Sequence, residues 1–142
     1  MGEVELLVRS CRHDEAAAVL ALWDAARSPH ATTSDTPADV ARLIDRDPEA
    51  LLVAECDGVL VGALVVGWDG WRGDLYRLAV APAQRRRGVA LALVREGERR
   101  LRALGAPRVT ALVTDANRPA VELWREAGYE RDEAISRYVR RL

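Results

Sequence analysis

The chain has no lysine: all 21 cationic side chains are arginine, set against 22 aspartates and glutamates for a formal net charge of −1. A phosphate loop ending in Gly-Lys-Ser/Thr, whose lysine reaches the phosphates while its hydroxyl holds magnesium, is therefore excluded. The three-glycine turn of a dinucleotide fold is missing as well. Cysteine is scarce. Cys11 and Cys56 are too few for a disulfide framework, neither stands in a nucleophile arrangement with histidine and aspartate, and no metal-ligand spacing exists, so no metal is expected. Long apolar runs are absent too, since the most apolar one, Val59 to Trp68, is far too short to span a bilayer. The start, Met1 to Leu6, has no basic segment before an apolar stretch, and a leucine at position six argues against myristoylation. A reduced, cytoplasmic setting is expected, with no membrane partner. The arginine clusters lack the interleaved aromatics and basic balance of a nucleic-acid binding domain.

What remains is a chain of 142 residues, 49% hydrophobic, without repeats, low-complexity tracts or a long linker. One domain over residues 1–142 with a substantial core is expected. The near-neutral total conceals a pattern, with arginines gathered at Arg85 to Arg87, Arg99 to Arg102 and Arg140 to Arg141 and acids over Asp35 to Asp57. Such local clustering points to an anionic ligand at one place.

Leu6 to Arg9 reads as a first strand, Asp14 as the cap of a helix through Arg27 with Ala17, Leu20, Ala21 and Asp24 in spacing, and Ser28 to Thr36 as a loop. A second helix over Pro37 to Arg46 turns Val40, Leu43 and Ile44 inward. Leu51 to Cys56 and Val59 to Trp68 are strands joined by Asp57-Gly58, a hairpin signal because both central turn positions need positive φ. Asp74 to Ala81 follows as a strand, then a helix over Arg85 to Leu104 with Val89, Leu93, Val94, Gly97, Leu101 and Leu104 in one stripe and Gly105 as its stop. Val109 to Val113, reached through that crossover, should lie parallel to the strand before it. A helix over Pro119 to Ala127 and a hairpin of Tyr129 to Arg131 with Ile135 to Arg141 should close the sheet.

The most informative stretch runs from Leu78-Ala79-Val80 through Pro82 into Gln84-Arg85-Arg86-Arg87-Gly88-Val89-Ala90. A strand that ends at a basic, glycine-containing turn before a helix aims unpaired amides and the positive end of the helix dipole at one spot, which suits a phosphate. Three arginines are unfavourable there unless an anion compensates them. Gly88 permits close approach of phosphate to main chain, and Ala90 close approach of helix to sheet. Downstream, Asn117-Arg118-Pro119-Ala120-Val121-Glu122-Leu123-Trp124-Arg125-Glu126-Ala127-Gly128-Tyr129 reads as a capped helix with Asn117 first, proline in the first turn and Gly128 as terminator.

Together, Arg85-x-x-Gly88-x-Ala90 and Asn117 to Tyr129 resemble the two signature blocks of the GNAT family of N-acetyltransferases. The resemblance implies an α/β (α+β) GNAT-like fold, a central mixed, mostly antiparallel twisted sheet flanked by about four helices. It also implies acetyl-coenzyme A (acetyl-CoA) as co-substrate. Main-chain groups of Leu78, Ala79 and Val80 would hold the pantetheine arm at a slot where two strands splay. The diphosphate would lie against Arg85, Arg86, Arg87, Gly88, Val89 and Ala90, and Asn117 and Trp124 would border the coenzyme. The first two helices would wall the acceptor site. The family's frequent tyrosine, near the coenzyme sulfur, is here Trp124, whose N–H donates a hydrogen bond but is no acid near neutral pH. Trp124 would pack against the coenzyme, leaving water or another tyrosine, Tyr138 among them, as proton source. The absence of lysine rules out self-acetylation on a lysine side chain.

For a base, Asp74 and Tyr76 alternate onto one strand face together with Leu78 and Val80, and either can look into the acceptor pocket. A solvated strand-end carboxylate is the plain alternative for Asp74. The glutamate that some family members carry in the strand after the crossover has no counterpart before Asp115. His30 suits neutral pH but is more simply a surface residue, and His13 is weaker still. Trp68 and Trp71 flank Asp69-Gly70 as an acceptor lip, a dimer contact or a capped turn. The expected activity is direct transfer to a primary amine of a small molecule, peptide or protein in a ternary complex, without an acyl-enzyme. A non-catalytic coenzyme-binding sensor of the same fold is the alternative. A homodimer through an exposed sheet edge is open.

Overall fold

A computed structural model of the chain describes residues 5–26 and 35–142. Its elements are β1 (Leu6–Ser10), α1 (Ala16–Ala25), α2 (Pro37–Arg46), β2 (Leu51–Cys56), β3 (Val59–Trp68), β4 (Gly73–Val80), α3 (Val89–Leu104), β5 (Val109–Ala111) and α4 (Arg118–Glu126). The strands lie in the order β1-β2-β3-β4-β5. β1 to β4 are antiparallel, and β5, reached through the α3 crossover, runs parallel to β4. The expected mixed, mostly antiparallel sheet with four helices is what forms. None of the helices among the described residues is long and apolar enough to cross a membrane.

Local chemistry accounts for the joints. Asp57 and Gly58 have φ of 51° and 78°, the pair of positive values that a two-residue hairpin requires. Thr36 caps α2 by accepting from the Asp39 amide, Asp39 returns the contact to the Thr36 amide, and Pro37 occupies the first turn.

Each face of the sheet carries its own core. α1 and α2 cover Leu51, Val53, Ala63 and Val65 with Val19, Leu22, Val40 and Ile44. α3 and α4 cover Leu52, Leu64, Val66 and Leu75 with Leu93, Val94, Leu101 and Trp124. Where α3 packs on the strands, glycines leave the room that neighbouring side chains fill. A Cβ on Gly97 would stand 2.8 Å from Leu75 Cδ2, and one on Gly62 of β3 2.9 Å from both Val89 and Leu93. Gly62 therefore sets how closely the first turns of α3 sit on the sheet.

Several expectations are corrected. The third helix begins at Val89, not Arg85, because Pro82–Gln84 forms a 3-10 turn and both Arg86 and Gly88 have positive φ, which no helix accommodates. The first helix begins at Ala16 after a 3-10 turn of His13–Glu15, and it is Glu15, not Asp14, that takes the Arg12 amide at 2.9 Å. Its buried residues are Val19 and Leu22, while Ala17, Ala21 and Asp24 are exposed and Leu20 is half-buried. The expected end of this helix at Arg27, and most of the Ser28 to Thr36 loop with His30, lie outside the described residues. β1 reaches Ser10, while β5 stops at Ala111 rather than Val113. The closing hairpin does not form. Asp132 instead folds the chain locally, its side chain taking the Ala134 amide at 3.2 Å, a turn that competes with a ladder, and Ile135, Tyr138 and Val139 are exposed.

Candidate active site

The site begins with an irregularity in β4. Val65 of β3 faces Tyr76 and Ala63 faces Ala79, so Arg77 and Leu78 together stand opposite Leu64. Arg77 absorbs the extra residue with φ of 55°, the left-handed region that a β-bulge can impose on a non-glycine. On the other side, pairing with β5 ends at Leu75 and Ala111, so the rest of β4 has no neighbour there. Ala81 gives its amide to Val61 at 2.8 Å, and by the alternation of an antiparallel ladder Ala79 faces β3 as well. The main-chain groups of Leu78 and Val80 therefore look into the gap beside β5. Of the three residues expected to meet an extended ligand arm, Leu78 and Val80 are placed to do so, and Ala79 is committed to the sheet.

Just beyond the strand, the chain turns through residues 82–88 into α3. Gly88 occupies the N-cap with φ of 79°, and a Cβ there would meet nothing within 4 Å, so glycine serves backbone shape and access rather than packing. Among the described residues no hydrogen-bond acceptor takes the amides of Arg86, Arg87, Gly88, Val89 or Ala90; the first regular bond across the cap is Ala92 to Gly88 at 3.0 Å. No acidic residue occupies the first turn of α3. Arg85, Arg86 and Arg87 are exposed and form no ion pair with any described carboxylate. The second arginine cluster is different. Arg99 and Arg100 bind Glu96, and Arg100 also reaches Ser10 at 2.9 Å and the Glu49 carbonyl. Among the described residues, the cluster at the α3 entrance sets exposed cations that form no ion pair beside amides without an acceptor, which fits a diphosphate.

On the α1/α2 face, Asp74 and Tyr76 stand together: a Cβ on Gly67 of β3 would lie 3.2 Å from the Tyr76 ring and 3.7 Å from Asp74 Cβ. The bulge at Arg77 moves the alternation by one residue, so Leu78 and Val80 turn to the α3 face, not to the face of Asp74 and Tyr76 as strict alternation predicts. Half-buried Tyr76 has its phenol pKa raised, chiefly by burial and further by the Asp74 carboxylate, against the opposing charge of Arg77. It is a neutral hydroxyl at physiological pH. Three residues that the sequence reading did not single out hold this corner. Trp23 of α1 donates its indole N–H to the Arg77 carbonyl at 2.9 Å, the Arg77 guanidinium lies 5.9 Å from the Trp23 ring centroid, and Asp35 pairs with Arg77 at 3.0 Å. A lone tryptophan in a short helix was the available signal, but its partner is visible only once the bulge exists.

The second block is largely structural. Asn117 caps α4, its side chain accepting from the Ala120 amide at 3.3 Å. Trp124 is 5% exposed and packs edge-on to Tyr129, with centroids 4.9 Å apart, so its ring belongs mainly to the core. Tyr129 donates a hydrogen bond from its hydroxyl to Glu98 at 2.7 Å. Burial and that carboxylate raise its pKa well above the ordinary 10, which removes it as a ready proton donor. Tyr138 is 95% exposed on the irregular tail.

Other candidates are placed elsewhere. His13 binds Asp45 at 2.6 Å and ties the α1 entrance to α2. Asp115 stands 3.5 Å from Arg131 in an exposed pair. Cys11 is buried, which pushes its thiol up to about 11, and Cys56 is a half-buried free thiol. Asp69 accepts from the Trp71 and Arg72 amides, and Arg72 covers the Trp71 ring at 4.3 Å, so the turn between the two tryptophans is capped. No cluster of three metal-ligating side chains exists among the described residues.

Residues 16–129 match the family model described as the acetyltransferase (GNAT) family. An acetyltransferase of Sodalis glossinidius is 33% identical over 135 residues, covering 95% of this chain and 94% of that protein. Among solved structures, Ard1 from Thermoplasma volcanium superimposes with a TM-score of 0.77 at 22% identity, over 88% of this chain and 82% of its own. An aminoglycoside N-acetyltransferase, AAC(6')-Iy, in complex with CoA, gives 0.77 at 17% identity over 99% and 98%.

Proposed function

Because the chain belongs to the GNAT family of acetyltransferases, we propose that it carries the acetyl group of acetyl-CoA to a primary amine of a small molecule, peptide or protein, by direct attack in a ternary complex. The observation that carries this reading is the pairing of an open β4 edge with the unsatisfied amides and arginines at the α3 entrance. A thioester on a pantetheine arm and a diphosphate need those two features side by side. The solved relative described as an aminoglycoside N-acetyltransferase supports an amine acceptor.

In this reading Arg86 to Ala90 amides hold the diphosphate, helped by the guanidinium groups, and the main chain of Leu78 and Val80 aligns the acyl arm. A main-chain N–H near Val80 polarises the thioester carbonyl. The acceptor enters from the α1/α2 side. Its neutral nitrogen forms the new C–N bond as the C–S bond breaks. Asp74, directly or through water, takes the proton that the amine sheds, and Tyr76 orients the acceptor by hydrogen bonding. The departing thiolate gains its proton from water, since Trp124 is no acid, Tyr129 is held by Glu98 and Tyr138 lies on the exposed tail. Cys11, buried with a raised pKa, offers no thiolate for an acyl-enzyme.

Release of free coenzyme thiol against a broad panel of primary amines tests the reading. At least one amine should accelerate thiol release above the hydrolytic background, and Asp74→Asn should slow it by about 10²-fold, the usual scale for a lost general base. A protein that binds acetyl-CoA but never turns over with any amine would support the sensor alternative instead.

A further inference from the structure

We propose that Trp23 and Asp35 are positioning residues that hold the β4 bulge in the form that presents Leu78 and Val80 to the acyl arm, an inference that rests on the coenzyme reading above. A bulge leaves its extra residue outside the ladder, so the Arg77 carbonyl needs a hydrogen-bond donor from elsewhere. It receives one from the indole N–H of Trp23 at 2.9 Å. The same residue's guanidinium is held by Asp35 at 3.0 Å, in a pair whose side chains are 33% and 24% exposed. Arg77 is thus tied by its main chain to α1 and by its side chain to the residue just before the α2 cap, while its φ of 55° is costly for a residue with a Cβ. With either tie weakened, residues 76–78 can shift toward ordinary extended backbone, and that shift rotates Leu78 and Val80 relative to β5. A half-buried carbonyl deprived of its donor favours such a relaxation.

The diphosphate cradle lies beyond Pro82 and is not part of this arrangement, which gives the inference its test. Binding of acetyl-CoA and of ADP, which has the diphosphate but no pantetheine arm, is measured by calorimetry for the full chain and for Trp23→Phe and Asp35→Asn. Trp23→Phe should weaken acetyl-CoA roughly tenfold, about the worth of one well-placed hydrogen bond, and leave ADP binding unchanged. Asp35→Asn, which keeps a hydrogen-bond acceptor, should show a smaller loss of the same selectivity. Equal losses for both ligands, or none for either, would overturn the inference, and if Trp23→Phe does not fold the Asp35→Asn pair of affinities decides it. Failure of the unaltered chain to bind either ligand would instead sink the coenzyme reading beneath it.

Discussion

Glu15 illustrates how much one side chain organises near the start of α1. It binds Arg9 through both carboxylate oxygens, at 2.8 and 2.7 Å, and accepts from the Arg12 amide, while Arg9 also reaches Glu55 on β2 at 3.3 Å. The Arg9 hydrogen bonds, opposed in part by burial, depress the Glu15 pKa from 4.5 to about 2. A carboxylate with a depressed folded-state pKa stabilises the protein above its unfolded value near 4.5 and loses that contribution as pH falls toward 2. The difference corresponds to ~3 kcal/mol at about 1.4 kcal/mol per pH unit, counted once for the pair. Glu15→Gln should therefore lower stability at neutral pH by about 2–3 kcal/mol, with the gap to the unaltered chain closing as pH drops from 4.5 to 2. Urea titrations across that range measure it, and a gap that stays constant with pH would contradict the assignment.

At this same scale, the sequence identified Gly88, the arginines and the Asn117 cap because each is a local rule of backbone and charge. Trp23, Asp35 and Arg77 were not legible. Their importance comes from a single inserted residue in the β4 register, and register is a property of two strands together. The same insertion separates Asp74 and Tyr76 from Leu78 and Val80, which strict alternation had placed on one face.

The elements show where periodicity suffices and where it fails. The stripe Val89, Leu93, Val94, Gly97, Leu101 is the buried face of α3, and only exposed Leu104 falls away from it. Gly97 in that stripe reads from sequence as a weak helix residue, yet it leaves the space that Leu75 of β4 and Leu64 of β3 fill. Gly97→Val should cost about 1–3 kcal/mol through overpacking against Leu75 and Leu64, seen as a lower denaturant midpoint with an unchanged slope. A neutral or stabilising result would show that α3 has room that the geometry denies. The closing hairpin, by contrast, does not form. Residues 135–141 place Arg137 and Arg141 on the same side as Ile135 and Val139 and so offer no continuous apolar face, β5 pairs over only three residues, and the Asp132 turn offers the backbone a local alternative.

For the molecule as a whole, the sheet divides the work. The α1/α2 side presents Asp74, Tyr76 and the Arg77 corner, and the α3 side supplies the helix entrance and the core that sets its depth. Charge is distributed to match. The formal net charge is −1, and the exposed arginines Arg85 to Arg87 concentrate positive charge at the α3 entrance. Increasing salt should therefore weaken coenzyme binding through that local cluster alone.

Calorimetric titration of acetyl-CoA into the unaltered chain and into Gly88→Asp addresses the cradle at the α3 entrance most directly. Aspartate there puts a carboxylate where the diphosphate would lie; its Cβ meets no neighbour within 4 Å, and the φ of 79° costs about 1–2 kcal/mol for a residue with a Cβ, a strain that aspartate bears better than most, so the fold should persist at somewhat lower stability. The account predicts saturable binding by the unaltered chain and loss of at least about 10²-fold in Gly88→Asp, the scale of placing like charge against a diphosphate. Equal affinities in the two proteins, with Gly88→Asp folded, would contradict it.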